Sequence, residues 1–146
     1  VKLKSDQVDQ LLNSFPPADF YWSRQAAFEA VSRHSMFNII HPASGLKVDI
    51  VITGDSNFER SRFTRGRRVE IVPGFSAMYC SPEDVALKKL EFFKIGGSDR
   101  HLRDIAGMLK ISGDQIDREY IERYAAQLGL TDVWQQLLRD LAAEKN

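Results

Sequence analysis

Hydrophobic residues recur along this chain with two different periods, and the period changes near residue 80. Before that point, the β-branched runs MFNIIH and LKVDIVI flank the linker PASG, and this pattern predicts an antiparallel hairpin. Two later runs, RRVEIV and AMYC, predict further short strands on either side of PGF. The first 80 residues are therefore expected to contain a small antiparallel or mixed sheet.

Helices account for the other periodic segments. Apolar spacing predicts helices over 5–15, with Ser5 as N-cap, and near 24–33. After residue 80, SPED predicts a helix start, because Ser81 is a good cap and Pro suits the first helical position. Later helices are expected to begin at the capping residues Ser98, Asp117 and Thr131. The predicted fold class is α+β: a sheet with two helices over 1–80, then a helical bundle over 81–146.

Composition narrows the possible partners. The chain has 146 residues, 43% of them hydrophobic, which is enough for a packed core. Its 20 basic and 20 acidic residues cancel, so net charge does not direct it to a polyanion. No apolar run approaches the about 20 residues that span a bilayer, and the first residues lack a signal-peptide core, so a cytoplasmic protein without a membrane partner is expected. The one cysteine, Cys80, is expected to be a buried, small apolar residue.

A charged residue interrupts one predicted strand. Side chains alternate along LKVDIVI, so Asp49 shares a face with Lys47 and Val51, while Val48 and Ile50 point the other way. An ionised carboxylate inside an apolar sheet is costly unless it is paired, hydrogen-bonded or bound to a metal ion. Asp49 is therefore a candidate metal ligand or ion-pair partner.

Basic residues add two candidate phosphate contacts. Arginine forks suit phosphates, and the run ERSRFTRGRRVE contains several, Arg67 and Arg68 among them. The alternative interpretation is a solvated loop that its own glutamates balance. In EDVALKKLEFF, Lys88 lies at the edge of the apolar stripe, where it is either a functional cation or a lysine whose ammonium reaches out to water.

The segment SDRHLRDIAGMLK gathers charge at the start of a helix, including Arg103 and Asp104. An i, i+4 ion pair between Asp99 and Arg103 is the structural alternative. An overlapping segment, DIAGMLKISGDQIDREYIERY, also has the helix–turn–helix order of a DNA-binding motif. Phosphate repulsion argues against that function, so no DNA partner is expected. The acidic residues of the second helix responsible for this repulsion are Asp114, Asp117, Glu119 and Glu122.

In their order along the chain, these motifs resemble the nucleotidyltransferase-like superfamily, in the minimal bacterial branch related to AbiEii-type toxin proteins of toxin-antitoxin systems. The resemblance covers LKVDIVI, the basic stretch, SPEDVALKKLEFFKIGG and SDRHLRDIAGML. It implies that Asp49 is the third metal-binding carboxylate and that Mg²⁺ is the cofactor. It also implies that Lys88 is the lysine of an E-D-x-x-x-x-K helix, allowing one position of slack, and that Arg103 and Asp104 are the R-D pair of the next helix.

The resemblance has one departure. Family members carry an Asp-x-Asp or Asp-x-Glu pair on a strand that follows a Gly-Ser helix start. No Asp-x-Asp occurs here, and GGS at residues 96–98 comes after Asp49 instead of before the first carboxylates. VKLK at residues 1–4 resembles the end of that strand. Two-metal phosphoryl transfer needs several carboxylates, so this chain is expected to bind Mg²⁺ weakly and to lack transfer activity.

Two functions remain open at this point. The first is a nucleotidyltransferase-like protein that, in complete form, transfers NMP from an NTP to an acceptor hydroxyl. The second is a non-catalytic descendant that binds a nucleotide, RNA or a partner protein. In either case an uncovered sheet edge and apolar face predict a homo-oligomer.

Overall fold

The computed structural model describes residues 1–143, and these fold into two compact units that divide between Glu59 and Arg60. This division lies earlier in the chain than residue 80, which is the boundary that the change of period predicts. The predicted α+β class is confirmed, with the strands arranged as two separate antiparallel hairpins. The helices are α1 Val8–Asn13, α2 Arg24–Arg33, α3 Asn57–Arg65, α4 Pro82–Gly96, α5 Asp99–Ser112, α6 Arg118–Gln127 and α7 Thr131–Ala143. The strands are β1 Met36–His41, β2 Leu46–Val51, β3 Arg67–Val72 and β4 Phe75–Tyr79.

The first unit packs one face of the β1–β2 hairpin against α1 and α2. Its strands pair as predicted, with Phe37 opposite Ile50 and Asn38 opposite Asp49. Because side chains alternate, Phe37 and Ile50 share the face that turns toward the helices. The buried residues of this core are Val8, Leu12, Ala27, Ala30, Phe37, Ile39 and Ile52.

The first residues lie along the free edge of β2. The amino group of Val1 donates to the Val51 carbonyl at 2.6 Å, and the Thr53 N–H donates to the Val1 carbonyl at 3.0 Å. On the other side of the strand, the Ile52 N–H donates to Ser35 at 2.8 Å. This hydrogen-bond pattern is that of a parallel neighbour on the edge opposite β1. The start of the chain therefore has extended, strand-like pairing.

The second unit is built around α4, which packs against α5, α6 and α7. Ser81 accepts the Asp84 N–H at 3.2 Å and caps α4, as predicted, and Gly97 ends the helix with a positive φ of 66°. A left-handed φ is one that glycine adopts without a Cβ penalty. The buried apolar residues of this unit are Ala86, Leu87, Leu90, Ile105, Leu109, Ile116, Tyr120, Ile121, Ala125, Leu130, Trp134 and Leu137.

The β3–β4 hairpin carries exposed apolar side chains. Every residue of β3 is exposed, and β4 includes the exposed aromatics Phe75 and Tyr79. An isolated two-stranded hairpin is marginal in water, and exposed apolar patches commonly mark interaction surfaces. The predicted homo-oligomer stays a prediction.

The local expectations at Cys80 and Ser5 were wrong. Cys80 is exposed rather than buried, because it lies in the short link between β4 and the cap of α4. Ser5 is not a cap, since it is the first residue of a 3-10 turn whose preceding residue is Lys4. The alternative interpretation of the arginine run 59–70 as a solvated loop does not hold, because its first part continues α3 and its second part forms β3, the strand that RRVEIV predicted.

Candidate functional site

Asp49 lies on the open face of the β1–β2 hairpin. Its side chain is 43% exposed, and its carboxylate is 3.1 Å from the Lys47 ammonium and accepts a hydrogen bond from the Asn38 amide. Lys47 is two residues away on the same face, and Asn38 is the directly opposite residue of β1. The expectation of a carboxylate buried in the sheet was therefore wrong: Asp49 is solvated and already has an ion-pair partner.

The side chains around Asp49 do not fit a magnesium ion. Mg²⁺ prefers several oxygen ligands in octahedral geometry, whereas the nearest charged group to Asp49 is the Lys47 ammonium. Within residues 1–143, no group of three or more His, Cys, Asp or Glu side chains is arranged to hold a metal ion. A magnesium site at Asp49 would need ligands that these residues do not supply.

Asp84, in the first turn of α4, is the most deeply buried of the carboxylates in residues 1–143. Its side chain has no solvent exposure and accepts hydrogen bonds from the Tyr120 hydroxyl at 2.7 Å and the Ser81 hydroxyl at 2.8 Å. The Arg65 Nε lies 3.5 Å from the same carboxylate. A buried charge requires this kind of compensation, because desolvation alone would strongly disfavour the ionised form.

Glu83 extends the same network. It accepts hydrogen bonds from the Arg65 guanidinium at 2.7 Å and from the Asp117 N–H at 3.0 Å. Burial alone would raise the pKa of Glu83, but these hydrogen bonds and the Arg65 charge hold the pKa below its usual value. Glu83 therefore stays ionised and ties the last residue of α3 to the start of α6.

Arg65 and Tyr120 complete the network. The guanidinium lies 3.9 Å from the centre of the Tyr120 ring, in cation–π contact. Burial raises the pKa of Tyr120 to about 12, assisted by its hydrogen bond to the negatively charged Asp84 and opposed by the hydrogen bond to Ser61. The phenol therefore remains a proton donor to Asp84 over the whole physiological range. We call Arg65, Glu83, Asp84 and Tyr120 the buried ion-pair network.

One turn after Asp84, two lysines of α4 line a groove toward α5. The Lys89 ammonium is 2.6 Å from Asp104 of α5, and this hydrogen bond holds the pKa of Asp104 below its usual value. Lys88 forms an ion pair with Glu91 of its own helix. The groove has a volume of about 290 Å³ and is also lined by Arg62, Cys80, Asp84, Val85, Phe92 and His101. We call it the α4–α5 groove.

The predicted site residues of the second unit do not form one cluster. Lys88 lines the α4–α5 groove, and Asp104 forms an ion pair with Lys89, which also lines the groove. Arg103 is exposed on α5. Arg67 and Arg68 are consecutive on β3, so their side chains point to opposite faces of the hairpin. Asp49 belongs to the first unit.

Sequence reasoning missed Lys89 and the buried ion-pair network. Counted without slack, the spacing E-D-x-x-x-x-K from Glu83 and Asp84 reaches Lys89, not Lys88. Lys89 is also the residue that forms the ion pair with Asp104 of the R-D pair. Periodicity does not show that the acids of a helix start have distant partners, so Arg65 and Tyr120 had no signal in the sequence pattern.

Comparison with known proteins does not add a relative: no family model, curated protein or solved structure matches the chain. Over residues 1–143, none of the helices is long and apolar enough to cross a membrane. Functional assignment therefore depends on the geometry of the two units.

We predict that Asp84, and not Asp49, is the carboxylate on which stability depends. Asp84→Asn leaves Arg65 beside a neutral amide and should lower the free energy of unfolding by about 2–3 kcal/mol. Asp49→Asn removes an exposed ion pair and should change it by less than about 0.5 kcal/mol. Urea unfolding monitored by circular dichroism compares the two variants. Equal losses would contradict the assignment.

The position of Tyr120 also predicts a late phase in alkaline titration. The folded-state pKa of about 12 lies above the ordinary value of 10.0, so the stability that Tyr120 contributes is complete below pH 10 and is lost as pH rises toward 12. Absorbance of phenolate near 295 nm should show a phase near pH 12 that disappears in Tyr120→Phe. The exposed Tyr21→Phe is the control and should keep that phase. Completion of the wild-type titration by about pH 11 would show that the Tyr120 hydroxyl is not buried against Asp84.

Proposed function

We propose that this chain is a nucleotidyltransferase-like protein that binds nucleotide phosphates in the α4–α5 groove and does not, by itself, transfer the nucleotide. The observation that carries the proposal is the 2.6 Å ion pair between Lys89 and Asp104. It joins the two motifs on which the family resemblance depends, the E-D-x-x-x-x-K helix and the R-D pair.

The groove has the chemistry that a phosphate ligand needs. Lys88 and Lys89 have side-chain exposures of 19% and 26%, so each ammonium is partly desolvated and interacts more strongly with an anion than a fully solvated lysine does. Asp104 holds Lys89 in place before a ligand arrives, and preorganisation reduces the entropic cost of binding. The Lys88 ammonium also lies 5.4 Å from the centre of the Phe92 ring, which limits its motion.

The start of the chain supports the resemblance in the first unit. VKLK resembles the end of a family strand, and Val1 pairs in parallel with the free edge of β2, the strand that carries Asp49. This chain has no Asp-x-Asp pair, so the proposal assigns it phosphate binding without catalysis.

Calorimetric titration with ATP, GTP, CTP and UTP tests the proposal. We expect weak binding that Lys89→Ala reduces by at least about tenfold, equivalent to about 1.4 kcal/mol, because the held ammonium is lost. Lys94→Ala is the matched control: Lys94 is on the same helix but donates to the Gly129 carbonyl outside the groove, so its loss should leave affinity unchanged.

A transfer assay with radiolabelled NTP completes the test. No label should reach RNA or protein, with or without Mg²⁺. Absence of nucleotide binding in the wild type, or equal binding by the Lys89→Ala and wild-type proteins, would overturn the proposed site. Transfer of label would overturn the claim that the chain is inactive.

A further inference from the structure

A second cavity of the second unit lies between the β3–β4 hairpin and the helices. It has a volume of about 640 Å³, and its wall includes Arg65, Arg67, Tyr79, Ser112 and Gln115. Cys80 lines both this cavity and the α4–α5 groove. We call it the hairpin cleft, and the proposed function does not use it.

In the hairpin cleft, the acidic side chains have protein partners and one basic side chain has none in the described part of the chain. Glu83 is occupied by Arg65 and the Asp117 N–H, and Asp117 accepts the Tyr120 N–H at 2.9 Å as the cap of α6. Arg67, in contrast, is exposed and has no ion pair or hydrogen bond from its side chain to any residue in 1–143. The acids of the cleft are thus satisfied by the protein, and one guanidinium remains available to an anion.

An exposed aromatic ring lies directly beside that guanidinium. Arg67 and Tyr79 are opposite each other in the hairpin register, so their side chains share the face that lines the cleft. Tyr79 is 49% exposed and has a flat surface on which a planar ring can stack. Across the cleft, Ser112 and Gln115 offer a hydroxyl and an amide, which suit the polar edge of a base or a ribose hydroxyl.

We propose that the hairpin cleft binds a nucleoside phosphate, with the base stacked on Tyr79 and the phosphate paired with Arg67. The combination of an uncommitted arginine with an exposed aromatic ring is the usual chemistry for sequence-tolerant recognition of nucleotides. The ligand is a free nucleotide or the terminal nucleotide of a single-stranded RNA, since both present the same groups. This second site is independent of the proposed phosphate site at Lys89.

Cys80 provides a direct reporter of occupancy, because it is the single cysteine of the chain, is exposed and lines the cleft. Alkylation by iodoacetamide, a neutral reagent, is measured by mass spectrometry with and without AMP or a short single-stranded RNA. At about ten times Kd, about nine-tenths of the sites are filled, so alkylation should slow by up to about tenfold. Adenosine or inorganic phosphate alone should protect less, because each supplies half of the interaction.

Variants distinguish the two sites that border Cys80. Protection should be lost in Arg67→Ala and Tyr79→Ala, each compared with its own ligand-free rate. It should persist in Lys89→Ala, which removes the α4–α5 groove contact. Arg68→Ala is the matched control, since Arg68 is on the other face of the hairpin and donates to the Ser76 hydroxyl at 3.0 Å.

Protection by AMP identifies a free nucleotide as ligand, and protection by RNA alone identifies a nucleic-acid end; either result supports the proposal. Absence of protection by both ligands overturns it. Protection that survives Arg67→Ala but disappears in Lys89→Ala also overturns it, and would leave the α4–α5 groove as the nucleotide site.

Discussion

The Asp84 carboxyl group has no solvent exposure, and the second unit is organised around the polar groups that contact it. The Tyr120 hydroxyl, the Ser81 hydroxyl and the Arg65 guanidinium come from α6, from the cap of α4 and from the end of α3. Removing one such partner from a buried charge typically costs several kcal/mol, so these elements have little freedom to move independently. The network thereby fixes the ends of three helices at one point.

The buried ion-pair network also positions the walls of the α4–α5 groove and the hairpin cleft. Lys88 and Lys89 lie one helical turn after Asp84, so anchoring the start of α4 sets their position relative to Asp104 on α5. On the other side, only Gly66 separates Arg65 from β3, and the contact of Arg65 with Glu83 holds the base of the hairpin beside the helices. The buried ion-pair network thus positions the basic residues of both cavities, Lys88 and Lys89 in one and Arg67 in the other.

Local sequence signals predicted the elements well. The β1–β2 hairpin, the cap and glycine end of α4 and the cap of α6 all follow from short-range chemistry, in which a side chain bonds to a backbone group a few residues away. Asp49 was misread because alternation predicts which residues share a face but not whether another layer covers that face. The β1–β2 hairpin has just two strands and a polar outer face, so its carboxylate remains in water.

Long-range partners were not predictable in this way. Arg65 and Asp84 are joined across 18 intervening residues, and Asp84 and Tyr120 across 35, with no periodic pattern linking them. Cys80 was misjudged for a related reason: its exposure depends on the turn between a strand and a helix, not on its own polarity. The strict spacing of the E-D-x-x-x-x-K motif was the one signal that could have identified Lys89.

A double-mutant cycle on Arg65 and Asp84 tests the central claim most directly. If the pair compensates a buried charge, Arg65→Met and Asp84→Leu should each be destabilising, while the double variant should lose less than their sum by at least about 2 kcal/mol, because an apolar pair no longer leaves an isolated charge. Free energies of unfolding from urea titration give the coupling. Losses that add to within about 0.5 kcal/mol would show that Arg65 and Asp84 act independently and that the network does not organise the second unit.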